Sequence, residues 1–136
     1  MRNITHIVVH CTGASQNQSI ESIKKYWKEV RKWSSPGYHF LIKKDGEVVQ
    51  LQHISEPSNG VANRNSSLIN VCYIGGVDAF NKSIDNRTPA QKASLLNLLG
   101  DLHRLFPGAI IQGHRDFPEV KKDCPCFDAR KEYANL

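Results

Sequence analysis

Three residues of this chain carry donor chemistry: His10, His114 and Cys124. His10 closes the apolar run Ile7-Val8-Val9, and His114 follows the short apolar stretch from Ala109 to Gln112. Cys124 comes one loop later, in Lys122-Asp123-Cys124-Pro125. Imidazole nitrogens and a thiolate are the borderline-soft donors that zinc prefers. Three protein donors with a fourth position open is the catalytic arrangement, in which the ion lowers the pKa of a bound water to about 7. Taken singly, each has an ordinary reading: a polar residue at a strand end, or a small buried thiol.

Other residues compete for the same role. Cys126 places a second thiol beside Cys124 and is its real rival. His6 shares the strand parity of His10, while His53 and His103 stand in no motif. Alternation along a strand points His39 away from Tyr38, which suits a structural role. Cys11 directly follows His10 and so faces the core, and Cys72 lies in an apolar strand.

The donors need a framework. Thr5 to His10 alternates and is β-branched, which predicts a strand. Ser19 is the expected N-cap of a helix with Ile20, Ile23, Tyr26, Trp27 and Val30 on one face, and Lys24, Lys25 and Lys28 opposite. Tyr38 to Ile42 and Val48 to Leu51 predict two strands joined around Lys44-Asp45-Gly46, a hairpin signal. His53 to Leu68 reads as a long surface loop, and Ile69 to Ile74 as a buried strand. Thr88-Pro89-Ala90-Gln91 has the cap, the proline and the capping-box partner of a helix start. Leu95, Leu98, Leu99, Leu102 and Leu105 supply its apolar face, and Pro107-Gly108 stops it. A short strand from Ala109 to Gln112 and a short helix from Asp128 to Tyr133 complete the chain. Strands interleaved with helices predict an α/β domain with one mixed sheet.

The chain has 136 residues, enough for one domain with a core that needs no staples. Its formal charge of +5 favours an anionic partner, whether nucleic acid, cell envelope or solvent counterions. The start of the chain lacks a long apolar run, which predicts neither a secretory signal nor a membrane span. The expected place of synthesis is therefore a cytoplasm, where the four cysteines are free or metal-bound rather than paired.

Six blocks occur in order along the chain: His10-Cys11-Thr12, Gly37-Tyr38-His39-Phe40, Asp45-Gly46, Thr88-Pro89-Ala90-Gln91, Gly113-His114-Arg115-Asp116 and Lys122-Asp123-Cys124-Pro125. Together they resemble the type 2 N-acetylmuramoyl-L-alanine amidases, in particular phage lysozymes of amidase type. The wider superfamily includes the peptidoglycan recognition proteins. The resemblance runs from about His6 to Asp128.

It implies a single zinc amidase domain over 1–136: a central mixed sheet flanked by helices, with the zinc at the sheet edge in a surface cleft. It implies one zinc per chain, held by His10, His114 and Cys124; Cys126 falls where the phage enzymes carry a small residue. Tyr38 matches the tyrosine beside the metal, and Lys122 the lysine two residues before the cysteine ligand. The implied reaction hydrolyses the amide between N-acetylmuramic acid and L-alanine in peptidoglycan. Lys122 would face the oxyanion, and Tyr38 would hold the water or pass a proton. The partner is peptidoglycan, through its muropeptide stem and N-acetylmuramic acid, reached outside the membrane by release or export. A monomer is expected. One departure stands out: family members often carry a histidine in the loop matching Asn59-Gly60-Val61-Ala62-Asn63, and this chain has none. Asn63, Arg64 and Asn65 are candidates to replace its contacts.

Two other readings compete. A recognition module of the same fold binds cell-wall fragments without cutting them, typically having lost a ligand such as the cysteine. A nucleic-acid-binding domain would cluster its basic residues on one face with exposed aromatics. Here the basic residues are dispersed, so no nucleic-acid partner is expected. Glycosidic cleavage needs two flanking carboxylates, and Asp116, Glu119 and Asp123 form no such motif.

Overall fold

The first strand, β1 (His6–Cys11), lies inside the sheet with a parallel neighbour on each side, which is why its apolar run is nearly unbroken. The computed structural model describes residues 2–136. In chain order, the remaining elements are α1 (Ile20–Glu29), β2 (Phe40–Ile42), β3 (Val48–Gln50), β4 (Leu68–Tyr73), α2 (Pro89–Leu105), β5 (Ile110–Gly113) and α3 (Ala129–Glu132). The sheet runs β3-β2-β4-β1-β5. Only β3 is antiparallel to its neighbour, so the sheet is mixed, as expected.

Parity divides the sheet into two working faces. Ile7, Val9, Ile69, Val71 and Ile42 point to one side, where Leu95, Leu99 and Leu102 of α2 cover them. Leu41 and Cys72 point to the other, beneath Ile23 and Trp27 of α1. His10 and Asn70 share this second face by the same alternation. Cys11 falls on the α2 side, in the core, as its position predicts.

The caps form as expected. Ser19 accepts from the Ser22 N–H, and Thr88 and Gln91 make a reciprocal capping box. The Gln91 amide is also fully buried and donates to the Ile42 and Ile74 carbonyls, which locks α2 onto the ends of β2 and β4. Gly46 takes a φ of +90° in the β2–β3 turn, a conformation open to glycine at little cost.

Two expectations need correction. Tyr26 of α1, Val30 at its C-cap and Leu105 of α2 are exposed, because each helix buries a narrower stripe than its apolar pattern allows. The stretch between His53 and Leu68 is not simply a surface loop: Ser58 and Val61 are buried, and a short 3-10 turn covers Asn65–Ser67. Among the described residues, no helix is long and apolar enough to cross a membrane.

Candidate metal centre

His10, His114 and Cys124 meet where the strands end. Their potential ligand atoms all lie within 4.8 Å of one another. His10 projects from the C-terminal end of inner strand β1, so the relevant sheet edge is the carboxyl edge, where α/β sheets commonly bind ligands. His114 opens a 3-10 turn (His114–Asp116) directly after β5, and the Asp116 carboxylate folds that turn by accepting the Gly113 N–H at 2.8 Å. The two imidazole centroids are 4.8 Å apart.

The loop bearing Cys124 is pinned from three elements. The Arg115 N–H donates to the Cys124 carbonyl at 2.9 Å, and the Tyr73 hydroxyl of β4 donates to the Pro125 carbonyl at 2.7 Å. The Cys11 N–H donates to the Cys124 sulfur at 3.1 Å. Residue 113 must be glycine for this packing, since a Cβ there would stand 2.6 Å from Pro125.

Burial sets the electrostatics. It pushes His10 down to about 3, helped by His114 and Lys122, and His114 down to about 4, helped by Lys122. Both imidazoles are therefore neutral near pH 7, with a lone pair to offer. The Nε2 of His10 faces Asn70 Oδ1 at 2.8 Å, so it carries the proton and leaves Nδ1 free. Neutral imidazoles with a thiol, converging on one point, fit a zinc ion.

Tyr38 stands beside the cluster, its ring centroid 5.0 Å from that of His10. Burial, then the Cys72 and Cys124 thiols, push its hydroxyl well above the usual range and keep it protonated. Lys122 is exposed on the cleft wall, and its charge reaches both histidines. The cleft holds about 870 Å³. Trp27, Arg31, Trp33, Gly60, Val61 and Lys121 are in its wall.

The other candidates lie elsewhere. Cys126 is outside the cluster: its sulfur is 3.8 Å from that of Cys11 and donates to the Gly76 carbonyl. His6 packs on Phe117, His53 bonds Ser55, and His103 belongs to α2. Cys72 is fully buried. His39 is buried too, with Nδ1 accepting from the Asn70 N–H. Of the proposed loop substitutes, only Asn65 lines the cleft, and its Oδ1 accepts the Val61 N–H. Arg64 instead pairs with Glu119 and lies over Phe117. Sequence reasoning missed Asn70, Ser58, Arg31 and Trp33, because none of them stands in a motif.

The comparisons with known proteins bear on the family and the fold. The family model for N-acetylmuramoyl-L-alanine amidase matches residues 1–127. The endolysin of Escherichia phage T7 is 37% identical over 127 residues, covering 92% of this chain and 82% of that protein. The endolysin of Klebsiella phage KP32 is 35% identical over 129 residues, covering 93% and 83%. Among solved structures, the N-acetylmuramoyl-L-alanine amidase LysC from Clostridium intestinale superposes with a TM-score of 0.80 at 26% identity, covering 97% of this chain and 83% of that one. With a family model spanning nearly its whole length and phage relatives matched over most of theirs, this chain belongs to the N-acetylmuramoyl-L-alanine amidase family.

Proposed function

We propose that the chain is a zinc amidase that hydrolyses the bond between N-acetylmuramic acid and L-alanine in bacterial peptidoglycan. The observation that carries this reading is the convergence of His10, His114 and Cys124, of which His114 and Cys124 line a surface cleft together with Tyr38 and Lys122 while His10 is buried behind them. One chain supplies every donor, so a monomer carrying one zinc suffices. Its substrate lies outside the membrane, to be reached by release or export.

Zinc held there supplies a Lewis acid and a water of lowered pKa. The chain's own residues do the rest. Lys122 holds a positive charge where the scissile carbonyl oxygen gains its negative charge. Tyr38, kept protonated, would donate a hydrogen bond to the attacking water or pass a proton. Water oxygen adds to the carbonyl carbon, the C–N bond breaks, and the L-alanine nitrogen leaves with a proton. The cleft's acidic residues argue against glycosidic chemistry. Glu119 in the cleft wall is paired with Arg64, and Asp116, outside it, accepts the Gly113 N–H, which leaves Asp123 as the one cleft carboxylate without a side-chain partner among the described residues, where glycosidic cleavage needs two.

Digestion of purified peptidoglycan tests the reading. The expected result is new amino groups, from stem peptides with a free L-alanine amine, without new reducing ends. Reducing ends without amines overturn it. Tight wall binding with neither product identifies a non-catalytic recognition module.

A further inference from the structure

Asn70 is a polar residue in the interior of a parallel sheet, on strand β4 between β2 and β1, and it is fully buried. A buried amide side chain is retained at such a place only if its hydrogen bonds are made. Those of Asn70 form a chain that ends on His10. Its Oδ1 faces His10 Nε2 at 2.8 Å, and its Nδ2 donates to Ser58 Oγ at 2.9 Å. Ser58 Oγ lies 3.1 Å from His39 Nδ1. All four residues are at most 1% exposed.

The direction of each bond follows from one backbone group. The Asn70 N–H donates to His39 Nδ1 at 3.0 Å, so that nitrogen is unprotonated. The neutral ring then carries its proton on Nε2, which donates to the Glu56 carbonyl at 2.7 Å. Nδ1 has a single lone pair, which the Asn70 N–H and the Ser58 hydroxyl share, and the hydroxyl presents its own lone pairs to Asn70. The Asn70 amide is turned with its NH₂ toward Ser58 and its carbonyl toward His10. A carbonyl facing Nε2 keeps the His10 proton there and leaves Nδ1 as the ring's donor atom. The fit is close, since a Cβ on Gly60 would stand 2.3 Å from the Asn70 amide.

We propose that Asn70 is the positioning residue of the metal centre, its amide oriented by Ser58 and His39 so that it fixes the tautomer and ring angle of His10. The inference rests on the zinc reading above. Partners of this kind, behind a ligand histidine, typically change metal affinity 10- to 100-fold when removed, by the general behaviour of zinc sites, roughly.

The test measures zinc affinity by competition with a chromogenic chelator, and reads the His10 ring nitrogens by two-bond ¹H–¹⁵N correlation in the zinc-loaded protein. Asn70→Leu keeps the volume and removes the carbonyl, and should weaken zinc about 10- to 100-fold. Asn70→Asp keeps an oxygen on Nε2 and should stay within a few fold of wild type. Ser58→Ala frees the amide to turn and should weaken zinc several-fold. It also serves as the falsifiable arm if Asn70→Leu does not fold. Wild-type His10 should show a protonated Nε2. Unchanged zinc affinity and ring pattern in Asn70→Leu, or in Ser58→Ala if the former is unfolded, overturn the positioning role. Equal losses in Asn70→Leu and Asn70→Asp overturn it too. A wild type whose zinc does not engage His10 overturns the underlying metal reading instead.

Discussion

The backbone N–H of Cys11 points at the sulfur of Cys124 from 3.1 Å, joining the end of the first strand to a loop 113 residues later. An N–H donor stabilises negative charge on sulfur, as a thiolate ligand requires. The neighbouring Cys126 lies outside the ligand cluster. Its thiol contacts Cys11 and Gly76 instead, and burial pushes it up to about 12. Cys124→Ser should therefore lose zinc, because a serine hydroxyl is a poor substitute for thiolate. Cys126→Ser should keep it. Metal analysis of the two purified proteins decides, and the reverse pattern makes Cys126 the ligand.

Lys122 and Tyr38 border the cluster without belonging to it. Lys122→Ala and Tyr38→Phe should each keep one zinc and a native melting curve. Each should lose on the order of a hundredfold in turnover, about 3 kcal/mol. The loss should fall on kcat, since these contacts strengthen in the transition state. A change confined to KM reduces both residues to substrate binding.

Buried histidines give the fold a pH dependence. Burial, the first cause in each case, holds His10 at about 3 and His39 and His114 at about 4. The unfolded imidazole titrates near 6.5, roughly. Above that pH both states are neutral and the stability is fully present. As pH falls below it, the unfolded chain takes up protons first, so stability declines down to the folded values. The slope is up to about 1.4 kcal/mol per pH unit for each histidine. Urea midpoints of metal-free protein should fall steadily from pH 7 to pH 4.5. A flat profile over that range contradicts neutral burial of these rings.

Arg87 anchors the last segment of the chain. Its side chain is 2% exposed, pairs with Asp85 and Glu132, and stacks 3.4 Å from the Phe127 ring centroid. Arg87→Ala leaves two carboxylates without their partner, and breaking such a buried pair costs about 3–5 kcal/mol. Glu132 and Asp85 are partly exposed, which places the expected loss at the low end. Thermal melts should show it as a clear drop in Tm, and a loss below 1 kcal/mol, roughly, would mean that water replaces the pair.

Local signals made much of this legible. The capping box at Thr88 and Gln91 needs only neighbours three apart, and the buried strand needs only an apolar run. The His10, His114 and Cys124 set was legible through ordered blocks. What escaped is long-range. Asn70 meets His10 across 60 residues and Ser58 meets His39 across 19, and no periodicity records such pairs. Alternation turned His39 away from Tyr38, but it could not show that His39 reaches the metal centre through Ser58 and Asn70. Tyr26 and Val30 show the opposite failure, apolar spacing on a helix face that packing leaves exposed.

The central claim is that the His10, His114 and Cys124 cluster is the catalytic metal site. It is tested most directly by adding zinc stepwise to chelator-stripped protein while following amine release from purified peptidoglycan. No release is expected without metal, then a linear rise and a break at one zinc per chain that His10→Ala abolishes. Full activity in the stripped protein, or in His10→Ala, would contradict it.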